Sequence, residues 1–103
     1  MLLSSNGQNI FPEEIEVVLN AKPFVVESLI VQREAARVAI IVVDNDKVAN
    51  SGMDAAALNA VMRGNIEKLN KEIPAYSSIA DFELRFEPFA KTPKGSIKRF
   101  MYS

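Results

Sequence analysis

Two stretches of this 103-residue sequence gather side chains that could hold an anion or admit a ligand to the main chain. The first is Ser4-Ser5-Asn6-Gly7-Gln8-Asn9, six small or polar residues around a glycine, just ahead of a helix start. Glycine carries no Cβ, so such a loop lets a ligand approach the backbone closely. A plain hairpin turn accounts for the same residues. The second is Ala90-Lys91-Thr92-Pro93-Lys94-Gly95-Ser96-Ile97-Lys98-Arg99, where Pro and Gly frame several cations and two hydroxyls in a stretch that reads as flexible. Phosphate binding fits that composition, but no Gly-x-x-x-x-Gly-Lys loop is present, so it is not an NTPase phosphate loop. A solvated basic tail is the simpler alternative.

Other chemistries are excluded by content. The chain has no histidine and no cysteine, which removes a Ser-His-Asp triad, a histidine base, thiolate sites and disulfides. Carboxylate clusters offer little. Glu13, Glu14 and Glu16 share one helical turn, where capping and solvation explain them. Asp44 and Asp46 flank a turn but lack the further ligands of a calcium loop, so no metal site is expected. The formal net charge is −1, which argues against nucleic-acid binding by bulk charge. The charge is nonetheless uneven: all 13 acids lie before residue 91, and residues 91–103 hold Lys91, Lys94, Lys98 and Arg99 with no acid. A short basic segment closing an acidic domain points to an anion site.

The elements that must position these stretches are those of one domain, residues 1–103. Met1 to Ser5 reads as a short strand, Asn6-Gly7 as a hairpin turn and Asn9-Ile10-Phe11 as the return strand. Pro12-Glu13-Glu14 starts a helix with Ile15, Val18 and Leu19 on one face, closed by Pro23. Phe24 to Gln32 is rich in β-formers, and Arg37 to Val43 is nearly continuous apolar sequence, as in a strand covered on both faces. A polar loop follows Asp44. Ser51 and Asp54, spaced like a capping box, precede a long helix whose Leu58, Val61, Met62, Ile66, Leu69 and Ile73 repeat at three and four. Pro74 stops it. Ala80 to Glu87 alternates, with Phe82, Leu84 and Phe86 to one side, and Ile97 to Tyr102 reads as a short terminal helix. The fold class expected is α+β, an N-terminal β-hairpin plus a small three-stranded sheet with helices packed on it. The longest apolar run, Val38 to Val43, is far too short for a membrane span, and Met1-Leu2-Leu3 leads straight into polar residues unlike a signal peptide. A soluble cytoplasmic domain is expected.

At the two polar stretches the sequence resembles a family. Gly7-Gln8-Asn9-Ile10-Phe11-Pro12-Glu13-Glu14-Ile15-Glu16 is similar to the Gly-x-Asn-(Ile/Val)-x-Pro-x-Glu-(Ile/Val)-Glu signature of adenylate-forming enzymes, the superfamily of acyl-CoA synthetases, luciferases and peptide-synthetase adenylation domains. Lys91-Thr92-Pro93-Lys94-Gly95-Ser96-Ile97-Lys98-Arg99 resembles its closing motif, Lys-Thr-x-x-Gly-Lys-Ile-x-Arg. Both motifs occur in the family's order at the two ends of a domain of the right size. The terminal Ser-Ile-Lys-Arg-Phe-Met-Tyr is most similar to the long-chain fatty-acyl-CoA ligase branch.

The resemblance implies a C-terminal lid whose large N-terminal AMP-binding domain lies elsewhere in a longer chain and carries most contacts to ATP, AMP and Mg. It implies an enzyme that joins fatty acid, ATP and CoA through an acyl-adenylate, with the lid inactive alone. In the family the closing lysine bridges carboxylate and α-phosphate during adenylation, an effect worth about 3–4 kcal/mol by analogy with other preorganised donors. The glycine loop, here Ser5, Asn6 and Gly7, lines the CoA tunnel in the second step. In register with Gly95, Ile97 and Arg99, the lysine position holds Ser96. Lys94 and Lys98 stand two residues to either side, and Lys94, just before Gly95, is the preferred substitute, Lys98 the alternative. Competing readings are a free-standing α+β anion-binding regulatory module and the lid of a carrier-protein-loading adenylation domain.

Overall fold

A computed structural model of the chain describes residues 2–3, 9–33, 36–95 and 97–98. The apolar run near the middle of the sequence sets the architecture. It forms strand β4, Ala36–Val43, and residues Val38 through Val43 are all buried. Strand β3, Val25–Arg33, pairs with it antiparallel, with Ser28 opposite Ile41 and Ile30 opposite Ala39. Strand β5, Asp81–Arg85, pairs on its other side in parallel, with Val38 opposite Asp81. The order β3-β4-β5 makes the three-stranded sheet of the expected α+β fold. A separate hairpin joins β1, Leu2–Leu3, to β2, Asn9–Ile10.

Because side chains alternate along a strand, β4 serves two cores. On one side Ala39, Ile41 and Val43 pack with Ile15 and Leu19 of α1 (Pro12–Asn20) and with Leu58, Met62, Ile66 and Leu69 of α3 (Ala55–Glu72). On the other, Val38, Ile40 and Val42 pack with Leu29, Val31 and Phe89, and Ile97 closes the edge. The parallel β4–β5 pair requires a long crossover, which α3 supplies. Among the described residues no helix is long and apolar enough to cross a membrane.

Four expectations need correction. The polar loop after Asp44 contains a helix, α2 (Asn45–Ser51). It buries no residue and so shows no apolar periodicity; Asp44 caps it by accepting from the Lys47 N–H at 3.2 Å, and left-handed Gly52 ends it. The cap of α3 is Asp54, accepting from the Ala57 N–H at 2.8 Å, whereas Ser51 belongs to α2 and donates to the Val48 carbonyl. Glu16 is buried rather than solvated, and its carboxylate accepts the Ile30 N–H at 2.8 Å, tying α1 to the outer edge of β3. Ile97 is extended, bridged to Lys91, and Lys98 is not helical; the remainder of the expected terminal helix, 99–102, lies outside the described residues.

Phe24, which leads into β3, has φ of 67°, a strained conformation for a bulky side chain. Its surroundings hold it there: its carbonyl accepts the Asp44 N–H at 2.9 Å, and the neighbouring Pro23 carbonyl accepts from the buried Asn65 side chain at 2.9 Å.

Candidate functional site

The basic segment, expected to be flexible, is a closed hairpin standing on the sheet. Arg85, at the end of β5, places its guanidinium 5.5 Å from the centre of the Phe89 ring and donates to the Glu87 carbonyl at 3.2 Å. Phe89 is 3% exposed and drives the chain back onto Ile40 and Val42. The next residues then fold on themselves. The Lys98 N–H donates to the Ala90 carbonyl at 2.9 Å, Lys91 bridges Ile97 antiparallel, and the Gly95 N–H donates to the Thr92 carbonyl at 2.9 Å. Thr92-Pro93-Lys94-Gly95 is thus a hydrogen-bonded β-turn with proline at its second position, the place where a preset φ is favoured. Gly95 has φ of +86°, a conformation that side chains with a Cβ rarely adopt.

This geometry sorts the lysines. Lys94 occupies the third turn position at the apex and is exposed. Lys98 is half-buried at one foot. Lys91, at the other foot, sits with its Nζ 3.3 Å from Glu27 Oε1 on β3. Among the described residues no carboxylate pairs with Lys94 or Lys98. The apex therefore holds an exposed ammonium whose backbone is fixed by the turn, and the two feet are held by packing and charge. Ser96, the position in register with the family lysine, lies outside the described residues.

Of the first stretch, Ser5, Asn6 and Gly7 also lie outside the described residues. The segment from Asn9 to Pro12 is a firm base. Asn9 and Ile10 pair with Leu3 and Leu2, Ile10 is 1% exposed, Phe11 is the extended residue before α1, and Pro12 takes the first helical position. Glu13 and Glu14 are exposed in the first turn, as expected of acids near a helix N-terminus. The described parts of the two motifs lie on opposite faces of the sheet, since α1 packs in the helix-side core and Phe89 and Ile97 in the other. An apolar recess of about 310 Å³ between α3 and β5, lined by Leu58, Phe82, Leu84 and Phe86, includes none of the expected site residues.

Glu27, Phe89 and Arg85 carry no sequence signal that singles them out. The Thr-Pro-Lys-Gly turn signature is one such signal for the apex, and it marks a defined turn where composition alone suggests flexibility.

Comparison with known proteins agrees with the fold. The family model for the AMP-binding enzyme C-terminal domain matches residues 1–102. No curated protein sequence matches significantly. Among solved structures, the adenylation domain of a carboxylate reductase from Mycobacterium chelonae superposes with a TM-score of 0.82 at 16% identity, over 97% of this chain and 17% of that one. An acyl-CoA synthetase from Brucella canis gives 0.72 at 24% identity, over 98% and 18%. An amide bond synthetase variant from Marinactinospora thermotolerans gives 0.60 at 18% identity, over 90% and 18%. The chain thus spans less than a fifth of the length of these proteins, which share its fold. With its family model matched almost end to end, the chain belongs to the AMP-binding enzyme C-terminal domain family.

Proposed function

We propose that this domain is the C-terminal lid of a cytoplasmic, ATP-dependent, AMP-forming acyl-CoA ligase acting on fatty acids. It works with an N-terminal AMP-binding domain of the same longer chain. The observation that carries the reading is the Lys94 turn, an exposed ammonium at the apex of a hairpin, within the family's closing motif. In the first half-reaction the fatty-acid carboxylate attacks the α-phosphorus of ATP, forming an acyl-phosphate bond and releasing pyrophosphate. Both partners are anionic, so a cation between them lowers the barrier as they meet. Lys94 supplies that cation in place of the lysine absent at Ser96. In the second half-reaction the CoA thiol attacks the acyl carbon and AMP leaves. The loop of Ser5, Asn6 and Gly7 lines the path of the thiol arm. Among the described residues no three acidic side chains come together to hold a metal. Mg is assigned to the N-terminal domain.

The test is acyl-adenylate formation by the ligase chain carrying this domain, followed as fatty-acid-dependent pyrophosphate release. Lys94→Ala is expected to slow it by roughly 10²–10³-fold, the usual cost of removing one preorganised charge donor. Lys98→Ala is expected to have little effect. The reverse pattern would move the role to Lys98, and undiminished rates in both variants would overturn the lysine assignment. Normal adenylation without transfer to free CoA would transfer the acceptor role to a tethered phosphopantetheine.

A further inference from the structure

The residue facing Lys91 reaches it through an irregularity in β3. In an uninterrupted strand, Val25, Glu27, Leu29 and Val31 would all point to one face. They do not. Val25 packs against the helix-side core, whereas Leu29 and Val31 belong to the hairpin-side core. The switch occurs where the register slips: Val25 opposes Val43, and Glu27 opposes the very next residue, Val42. Val26 is the extra residue of this bulge, and its own side chain is 52% exposed. The bulge thus turns Glu27 to the hairpin side, where its side chain, 14% exposed, brings Oε1 within 3.3 Å of Lys91 Nζ. Bulges commonly re-aim a side chain beside a working site.

We propose that Glu27 is a positioning residue for the Lys94 hairpin, an assignment that rests on the function proposed above. Its carboxylate fixes the foot at Lys91, the four-residue turn and its apex are placed by that foot, and Lys94 is held at a set height over the sheet. Phe89 and Ile97 supply the packing beneath the hairpin, and the ion pair ties its Lys91 foot to β3. Lys91 is thereby engaged in orientation and Lys94 is left for substrate.

Positioning and simple charge predict opposite signs. Glu27→Gln removes a negative charge at the foot of the hairpin, so through the field alone it would favour anionic substrates and speed adenylation. Through positioning it slows adenylation, because a misplacement of about 1 Å can cost roughly a hundredfold. The experiment uses the ligase chain carrying this domain, with Glu27→Gln, Lys94→Ala, and the exchanged pair Glu27→Lys with Lys91→Glu. Three readouts are taken: pyrophosphate release, thioester formation from preformed acyl-adenylate and CoA, and amide hydrogen exchange at Gly95 and Lys98. The expected result for Glu27→Gln is roughly ten- to hundredfold slower adenylation, an unchanged thioester step and faster exchange at both amides, with the exchanged pair restoring rate and protection. Adenylation at or above the wild-type rate overturns the proposal, as does unchanged amide exchange. If the wild-type chain forms no adenylate, the proposed function falls and Glu27's role with it. An active wild type, a slow Lys94→Ala and a full-rate Glu27→Gln overturn the Glu27 assignment alone.

Discussion

The central strand β4 faces two environments that are built differently. Toward the helices, among the described residues, Ala39, Ile41 and Val43 pack with nine further buried residues drawn from β2, α1, β3, α3 and the segment before β5. Toward the hairpin, among the described residues, Val38, Ile40 and Val42 pack with Leu29, Val31 and Phe89, and Phe89 and the partly buried Ile97 are the members from outside the β3–β4 pair. Among the described residues, one face is covered by elements that bury one another and the other by a short hairpin. The lesson is a division of labour. Among the described residues the helix side holds the larger buried cluster, and the hairpin side holds the exposed Lys94 to which the proposed function gives its role. Local opening can then release the apex without loss of the fold, because regions with few buried contacts open at lower free energy than the core.

The largest effects that test this contrast are cavities, one on each side of the sheet. Met62 is fully buried in α3, and Met62→Ala is expected to lower global stability by about 2–5 kcal/mol. Denaturant unfolding of the chain reads it directly. Phe89→Ala is expected to cost about 3–5 kcal/mol by the same rule, but protection of the Gly95 and Lys98 amides should fall out of proportion to that loss. Global losses in the two variants with no selective loss of hairpin protection would break the comparison. The smallest effect sharpens it from the other direction. Gly64 lies inside α3, and a Cβ built there meets no atom within 4 Å. Gly64→Ala is expected to stabilise the domain by about 0.4–1 kcal/mol. A melting temperature that rises while Gly95 exchange stays constant would show the faces to be energetically separate.

Periodicity makes the helix side legible. Leu58, Met62, Ile66 and Leu69 in α3 and Ile15 and Leu19 in α1 stand out by their spacing, and all are buried in one cluster. The apolar run of β4 marks a strand covered on both sides without revealing either cover. The hairpin side is less legible for physical reasons. The bulge at Val26 interrupts a run in which Val25 and Val26 are both apolar, so no break in pattern marks the change of face. The α2 helix rests on the Asp44 cap and the Gly52 stop rather than on burial, and leaves no stripe to detect. The Lys94 apex depends on hydrogen bonds from Gly95 to Thr92 and from Lys98 to Ala90, which are backbone events that composition does not record. The motif is enough to find the lysines, but sorting them into apex and feet requires the turn.

The pairing order of the sheet also bears on how the domain assembles. Strands β3 and β4 meet through neighbours in sequence, with Arg33 opposite Ala36, whereas β4 meets β5 only after α2 and α3 have intervened, with Val38 opposite Asp81. The local pair closes a small loop and the distant one a large loop, so the antiparallel pair has the lower entropic barrier. The hairpin that presents Lys94 comes after β5 in the chain and docks on side chains that β3 and β4 must already have aligned. The place of Lys94 thus depends on the β3–β4 ladder, and a docked hairpin is itself a report that the sheet beneath it has formed.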